Sequence, residues 1–247
     1  MVLVEACVNS ATSAIEAEKG GAQRVELCDN LYEGGTTPSA ATISVTAKHI
    51  SIDLYVLIRP RGGDFLYSDL EFEVMLQDIQ YCKQNDVKGV VLGVLKANGN
   101  VDVKRTRQLV KAAYPMNVTF HRGFDMVADP LRALEDIIST GCQRVLTSGL
   151  ANKAWDGREM IANLVRVANG RIIIMAGSGV NIENAEKLVE FTGVTEIHTS
   201  ARTSYPSRMK HQTRTVFMGG MPEIPEYETT FTDALKIKLV VQSLCRN

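Results

Sequence analysis

Polar side chains recur at alternate positions within apolar runs: Glu5 and Cys7, Glu26 and Cys28, Arg59 and Arg61, Thr119 and His121, and Glu196, His198 and Ser200. On an extended chain, spacing by two places each set on one face. If those faces converge, they gather groups able to move protons, hold an anion or bind a soft metal. Glu26, His121 and Asp125 are the candidates for general acid/base work, with His121 closing a strand-like run and Asp125 in the loop after it. Arg59 and Arg61 leave a buried strand at its mouth, where paired guanidiniums call for an anion, so they form a candidate clamp. Other readings stay open. Glu5 and Glu26 could instead neutralise Arg59 and Arg61 in a buried ion network. His121 could be a core histidine satisfied by a backbone carbonyl.

Loops supply further candidates. Gly177-Ser178-Gly179 precedes a helical stretch and would present free backbone N–H groups at its positive end, although close helix–strand packing explains glycine there equally well. Thr147 and Ser148, Asp64, and Ser200 beside Glu5 and His198 complete the expected ligand-binding set. Cys7 and Cys28 end neighbouring strand-like runs on the same relative face. Two such thiolates suit linear Cu(I), and a buried free cysteine also serves as a small hydrophobe.

Eight strand-like runs must position these groups: Leu3–Cys7, Arg24–Cys28, Leu54–Arg59, Gly89–Leu92, Asn117–His121, Arg144–Thr147, Arg171–Met175 and Glu196–Thr199. Helical stretches separate them, at Ser10–Lys19, Thr37–Lys48, Ser68–Asn85, Val101–Ala113, Pro130–Thr140, Arg158–Asn169 and Asn181–Phe191. Strict alternation implies a parallel sheet with right-handed crossovers. A helix-end–turn–strand signature also repeats, in Gly21-Ala22-Gln23-Arg24-Val25, Gly141-Cys142-Gln143-Arg144-Val145 and Gly193-Val194-Thr195-Glu196-Ile197. Eight even units predict an α/β fold, a single (β/α)8 TIM-like barrel over residues 1–247, rather than a doubly wound open sheet. Residues 201–227, with Pro206, Gly219-Gly220, Pro222 and Pro225, read as an irregular cap or dimer segment, and residues 232–244 as a closing helix.

The chain has 247 residues and a formal net charge of −1, which argues against a nucleic-acid partner held by a basic field. No apolar run is long enough to span a membrane. Five cysteines without compact spacing suit a reducing compartment, so a soluble cytoplasmic protein is expected.

Five stretches carry a family resemblance: Arg24–Cys28, Glu33–Ser39, Ile58–Asp69, Val118–Arg122 and Arg144–Gly149. With the specific string Arg59-Pro60-Arg61-Gly62-Gly63-Asp64-Phe65, the sequence resembles the CutC copper-homeostasis family. The resemblance implies a TIM-like barrel, a cytoplasmic homodimer and copper as partner, with Cys7 and Cys28 as the ligand candidates for Cu(I). Val8 stands where some bacterial members carry an additional cysteine. Two functions are expected, the first from the resemblance and the second from the polar residues themselves. One is a Cu(I)-binding homeostasis protein. The other is a barrel enzyme using lyase, isomerase or hydrolase-type acid/base chemistry on a small anionic, phosphorylated metabolite.

Overall fold

Eight short parallel strands close on themselves. They are β1 (Leu3–Val8), β2 (Arg24–Leu27), β3 (Asp53–Leu57), β4 (Gly89–Leu92), β5 (Asn117–Phe120), β6 (Arg144–Thr147), β7 (Ile173–Gly177) and β8 (Glu196–Thr199). β1 pairs with both β2 and β8, so no edge is left open. Helices α1 (Ala11–Lys19), α2 (Ala40–His49), α3 (Asp69–Gln84), α4 (Val103–Ala113), α5 (Pro130–Thr140), α6 (Arg158–Ala168) and α7 (Ala185–Thr192) return the chain between strands. This computed structural model describes residues 2–213, 215–219, 221 and 223–245. The architecture is the expected (β/α)8 barrel.

Local chemistry sets the helix ends. Ser68 and Glu71 form a reciprocal capping box at α3, and Asp129 caps α5 ahead of Pro130. Gly141 and Gly193 end α5 and α7 in the left-handed conformation. Gly20 ends α1 for a different reason: its φ is −73°, but a Cβ there would lie 2.6 Å from the Ala234 carbonyl oxygen. The glycine lets the terminal helix approach.

Outward strand residues such as Val25, Leu27, Val56 and Ile58 join helix residues such as Ile43, Met75, Leu109 and Leu134 in the large buried core between sheet and helices. Inside the barrel lies a small apolar cluster, Cys28, Tyr55, Leu57 and Val91. Buried polar groups, Glu5, Arg24, Glu26, Thr119, Arg144 and Glu196, share that interior with Met175 and Leu146.

Several boundaries differ from expectation. β7 runs two residues later, because Ala176 and Gly177 pair with Ile197 and His198. α7 starts at Ala185, so the Gly-Ser-Gly turn does not open it directly. The segment expected to be irregular begins as β9 (Arg202–Pro206), which pairs antiparallel with β10 (Glu228–Thr232). Tyr205 and Phe231 meet across this hairpin, and the Thr232 amide donates to Ser13 Oγ of α1. Gly220 and Pro222, counted among that segment's breakers, lie outside the described residues. Asp233 then caps the closing helix α8 (Ala234–Ser243), so Thr232 ends a strand instead of starting a helix.

Packing at the barrel floor generates a test. Gly89 faces Tyr55, and a Cβ there would run into the tyrosine ring. Gly89→Ala is expected to cost about 1–3 kcal/mol, read from urea midpoints, as for other overpacked cores. An unchanged midpoint would mean that the ring has room to move.

Candidate functional site at the barrel mouth

The floor of the site is a buried ion network. Arg24, at the start of β2, donates through Nε to Glu5 and through Nη2 to Glu196. Arg144, at the start of β6, reaches the same Glu196 carboxylate through Nε at 2.5 Å and Nη2 at 2.9 Å. Tyr55 lies under both guanidiniums, with ring-to-Cζ distances of 4.8 Å and 5.5 Å. Two cations and two carboxylates balance within a nearly dry interior. Burial alone would raise the Glu5 carboxyl, but the Arg24 charge and the His198 hydrogen bond bring it down to about 2. The same reasoning holds Glu196 below the usual carboxylate range, through Arg144 and Arg24.

One layer up, the parity of the strands brings together residues separated by most of the chain. His198 Nδ1 lies 2.8 Å from Glu5 Oε1, and its Nε2 lies 3.6 Å from Glu26 Oε2. Cys7 Sγ, a Glu26 carboxylate oxygen and a His198 ring nitrogen all lie within 4.8 Å of one another. Cys7 and Cys28 sulfurs are 3.5 Å apart. The hydrogen bond from Cys28 pulls the Cys7 thiol well down, with His198 assisting, while Cys28 itself is pushed up by that bond and by burial. Burial would lower His198, but its bonds to Cys7 and Glu5 carry it well above the usual histidine range. Glu26, buried without a guanidinium of its own, is pushed up to about 8. A soft, compact donor set results.

Above these groups opens a cavity of about 740 Å³. Its walls include Cys7, Glu26, Cys28, His121, Asp125 and His198, with Leu31, Leu57, Phe65 and Leu95 as apolar surface. His121 Nδ1 accepts from the Gly123 amide at 3.0 Å, and Nε2 has no partner among the described residues. Burial, aided by the Arg59 charge, pushes His121 down to about 3, so it is neutral with its proton on Nε2. This geometry presents the His121 Nε2 to the cavity as a hydrogen-bond donor. Phe65 packs on it at 4.7 Å between centroids.

Both arginines of the expected clamp are engaged by the protein itself. Arg59 Nη1 donates to the Glu33 and Gly35 carbonyls at 2.8 Å and 2.6 Å, and Nη2 donates to Gly63 at 2.7 Å. Only its buried Nε has no partner among the described residues, while its Cζ stands 5.1 Å from the Phe65 ring centre. Arg61 does not line the cavity; it binds Glu71 at 2.6 Å and Asp64 at 3.0 Å. The bend after Leu57 turns it away from Arg59. Nor do these arginines neutralise Glu5, whose partner is Arg24.

Other expected residues are likewise occupied. Asp125 is a staple between two loops: it accepts from the Thr147 hydroxyl at 2.5 Å, from the Ser148 hydroxyl at 2.8 Å and from Arg122 Nε at 2.8 Å. The Ser148 and Leu150 amides add to these bonds, so both carboxylate oxygens are engaged by the loops. Ser178 Oγ donates to the Asn152 carbonyl, Asn181 and Asn184 tie down the following turn, and a side chain at Gly179 would meet Lys153. Gly177, Ser178, Gly179 and Ser200 do not line the cavity, and Gly177 instead makes room for Leu146. Asp64 is at its exposed rim, held by Arg61.

Arg24 and Arg144 escaped attention as site residues, although each follows glutamine in the repeated Gln-Arg-Val motif. Lys96 was also missed; an exposed lysine after a short strand gives no sequence signal. Glu196→Gln should destabilise the protein by about 3–5 kcal/mol in chemical denaturation, because it leaves Arg24 and Arg144 undercompensated. A loss below about 1 kcal/mol would show that the network is dispensable.

Residues 2–203 match the CutC family. A CutC family protein of Parabacteroides distasonis is 49% identical over 241 residues, covering 97% of this chain and 99% of that protein. A human relative named copper homeostasis protein cutC homolog is 45% identical over 236 residues, covering 96% of this chain and 86% of the relative. The crystal structure of a CutC protein from Streptococcus agalactiae superposes with a TM-score of 0.78 at 36% identity, covering 81% of this chain and 99% of that one. Phosphoribosylanthranilate isomerase from Thermotoga maritima, at 13% identity and TM-score 0.61 over 99% of this chain and 98% of its own, shares the fold alone. By its family match and its relatives over nearly its whole length, the chain belongs to the CutC family.

Proposed function

We propose that this protein is a cytoplasmic copper-homeostasis protein that binds Cu(I) through Cys7 and Cys28. The observation that carries the reading is the 3.5 Å approach of the two sulfurs beside His198, at the floor of an accessible cavity. Thiolate sulfur with imidazole is the donor chemistry that Cu(I) favours. No described helix is long and apolar enough to cross a membrane, in keeping with a soluble carrier. The names of the relatives point to the same metal. The exposed hairpin tip, with Phe217, Met218 and Met221, is the surface proposed for a homodimer contact.

Competition titration of Cu(I) tests the ligand set. Wild type should bind one equivalent, and Cys7→Ser/Cys28→Ser should lose that site. Unchanged stoichiometry and affinity in the double variant would overturn it. Both thiols must shed protons to bind, and Cys28 holds its proton well above the ordinary range. Affinity should therefore rise with pH and fall on acidification; a flat profile would argue against thiolate ligands.

The cavity supports a second reading, since about 740 Å³ is the size of a small-molecule site and far exceeds an ion. His121 Nε2 and Arg59 Nε, both without partners among the described residues, are donors suited to a small anionic metabolite. Glu26 is its acid/base candidate. A screen of phosphorylated and carboxylated metabolites should find a ligand that raises the melting temperature, with the shift reduced in His121→Gln. No stabilising ligand, or an equal shift in the variant, would count against this reading.

A further inference from the structure

Cys7 has a second chemistry available to it that requires no metal. Its sulfur sits beside His198, whose opposite ring nitrogen Nδ1 is 2.8 Å from Glu5 Oε1. Glu5 is fully buried and is fixed in turn by Arg24. A carboxylate on Nδ1 fixes the ring's orientation and leaves Nε2 on the side that faces Glu26 and the cavity. The order is nucleophile, base, orienting carboxylate. Its three members come from β1 and β8, which pair directly, with Glu5 opposite His198 in the register. The relay therefore stands on rigid strands rather than on loops. Of the two neighbouring thiols, Cys7 is half-buried and Cys28 is buried.

The surrounding wall indicates what would be attacked. Leu31 and Leu57 pack with the cysteines, and Leu146 and Phe65 extend the cavity's apolar wall. We propose that Cys7, His198 and Glu5 act as a thiol nucleophile relay that accepts the acyl group of a small carboxylic ester or thioester with an apolar acyl chain. In the first half, Cys7 Sγ bonds to the acyl carbon and the bond from that carbon to the leaving oxygen or sulfur breaks. The proton that Cys7 gives up is held on His198 Nε2 and passes from there to the leaving group. In the second half, water attacks the Cys7 thioester and gives its proton to His198. The carbon–sulfur bond breaks, the carboxylic acid departs and the proton returns to Cys7. Glu5 is a positioning residue throughout. The step uses the thiol assigned above to copper but not the metal, so either reading can fail without the other.

The test uses full-length Cys245→Ser protein, which lacks the exposed thiol, with a Cu(I) chelator present and p-nitrophenyl acetate as probe. A burst of about one equivalent of p-nitrophenolate is expected, with the acetyl group mapped by mass spectrometry to the peptide containing Cys7. Adding Cys7→Ser should abolish the burst, and adding His198→Gln should slow it by about a hundredfold. Absence of a burst, acetylation of Cys82 or Cys142 at the rate of Cys7, or a burst unaffected by His198→Gln in folded protein would overturn the proposal. Should His198→Gln fail to fold, the comparison of Cys7 with Cys82 and Cys142 in the parent decides it.

Discussion

Everything at the mouth of this barrel depends on the neutralisation of two arginines inside it. Arg24 and Arg144 begin strands on opposite sides of the ring, and the Glu196 carboxylate joins them. A guanidinium stays charged under any accessible condition, so burying two requires fixed anions in return. Glu196 answers both, and Glu5 answers Arg24 from the adjacent strand. Glu5 then has one oxygen left, and that oxygen orients His198. The imidazole, in its turn, is what places polar chemistry beside Cys7. The functional layer is thus assembled on an electrostatic floor, where most barrels of this kind use packed aliphatic side chains.

A second structural economy concerns the rim. Arg59 spends both terminal nitrogens on the carbonyls of Glu33, Gly35 and Gly63, so one side chain ties the loops after β2 and β3 together. Asp125 does the same for the loops after β5 and β6, through Thr147, Ser148 and Arg122. These residues hold the cavity open and shaped. They are also the ones whose charge, read in isolation, suggests chemistry.

Much of the fold was legible because βα alternation and apolar strand runs are local signals. The period of two was sufficient to place Glu5, Cys7, Glu26, Cys28 and His198 in one interior. It could not identify charge partners, which depend on how the barrel closes: Arg24 meets Glu196 across 172 positions of sequence. Arg61 shows a different limit, since spacing by two holds only while the chain stays extended, and the turn after β3 breaks it. The β9–β10 hairpin was hidden because its strands carry no apolar alternation and their partners lie more than twenty residues apart.

A paired thiol, set beside an oriented imidazole, is the proposed metal-binding element of this CutC protein. X-ray absorption at the copper edge of the Cu(I)-loaded full-length protein addresses it most directly. Sulfur should dominate the first shell, and Cys7→Ser should lower the sulfur count by one. A shell of nitrogen and oxygen alone, or a spectrum identical in the variant, would contradict the account.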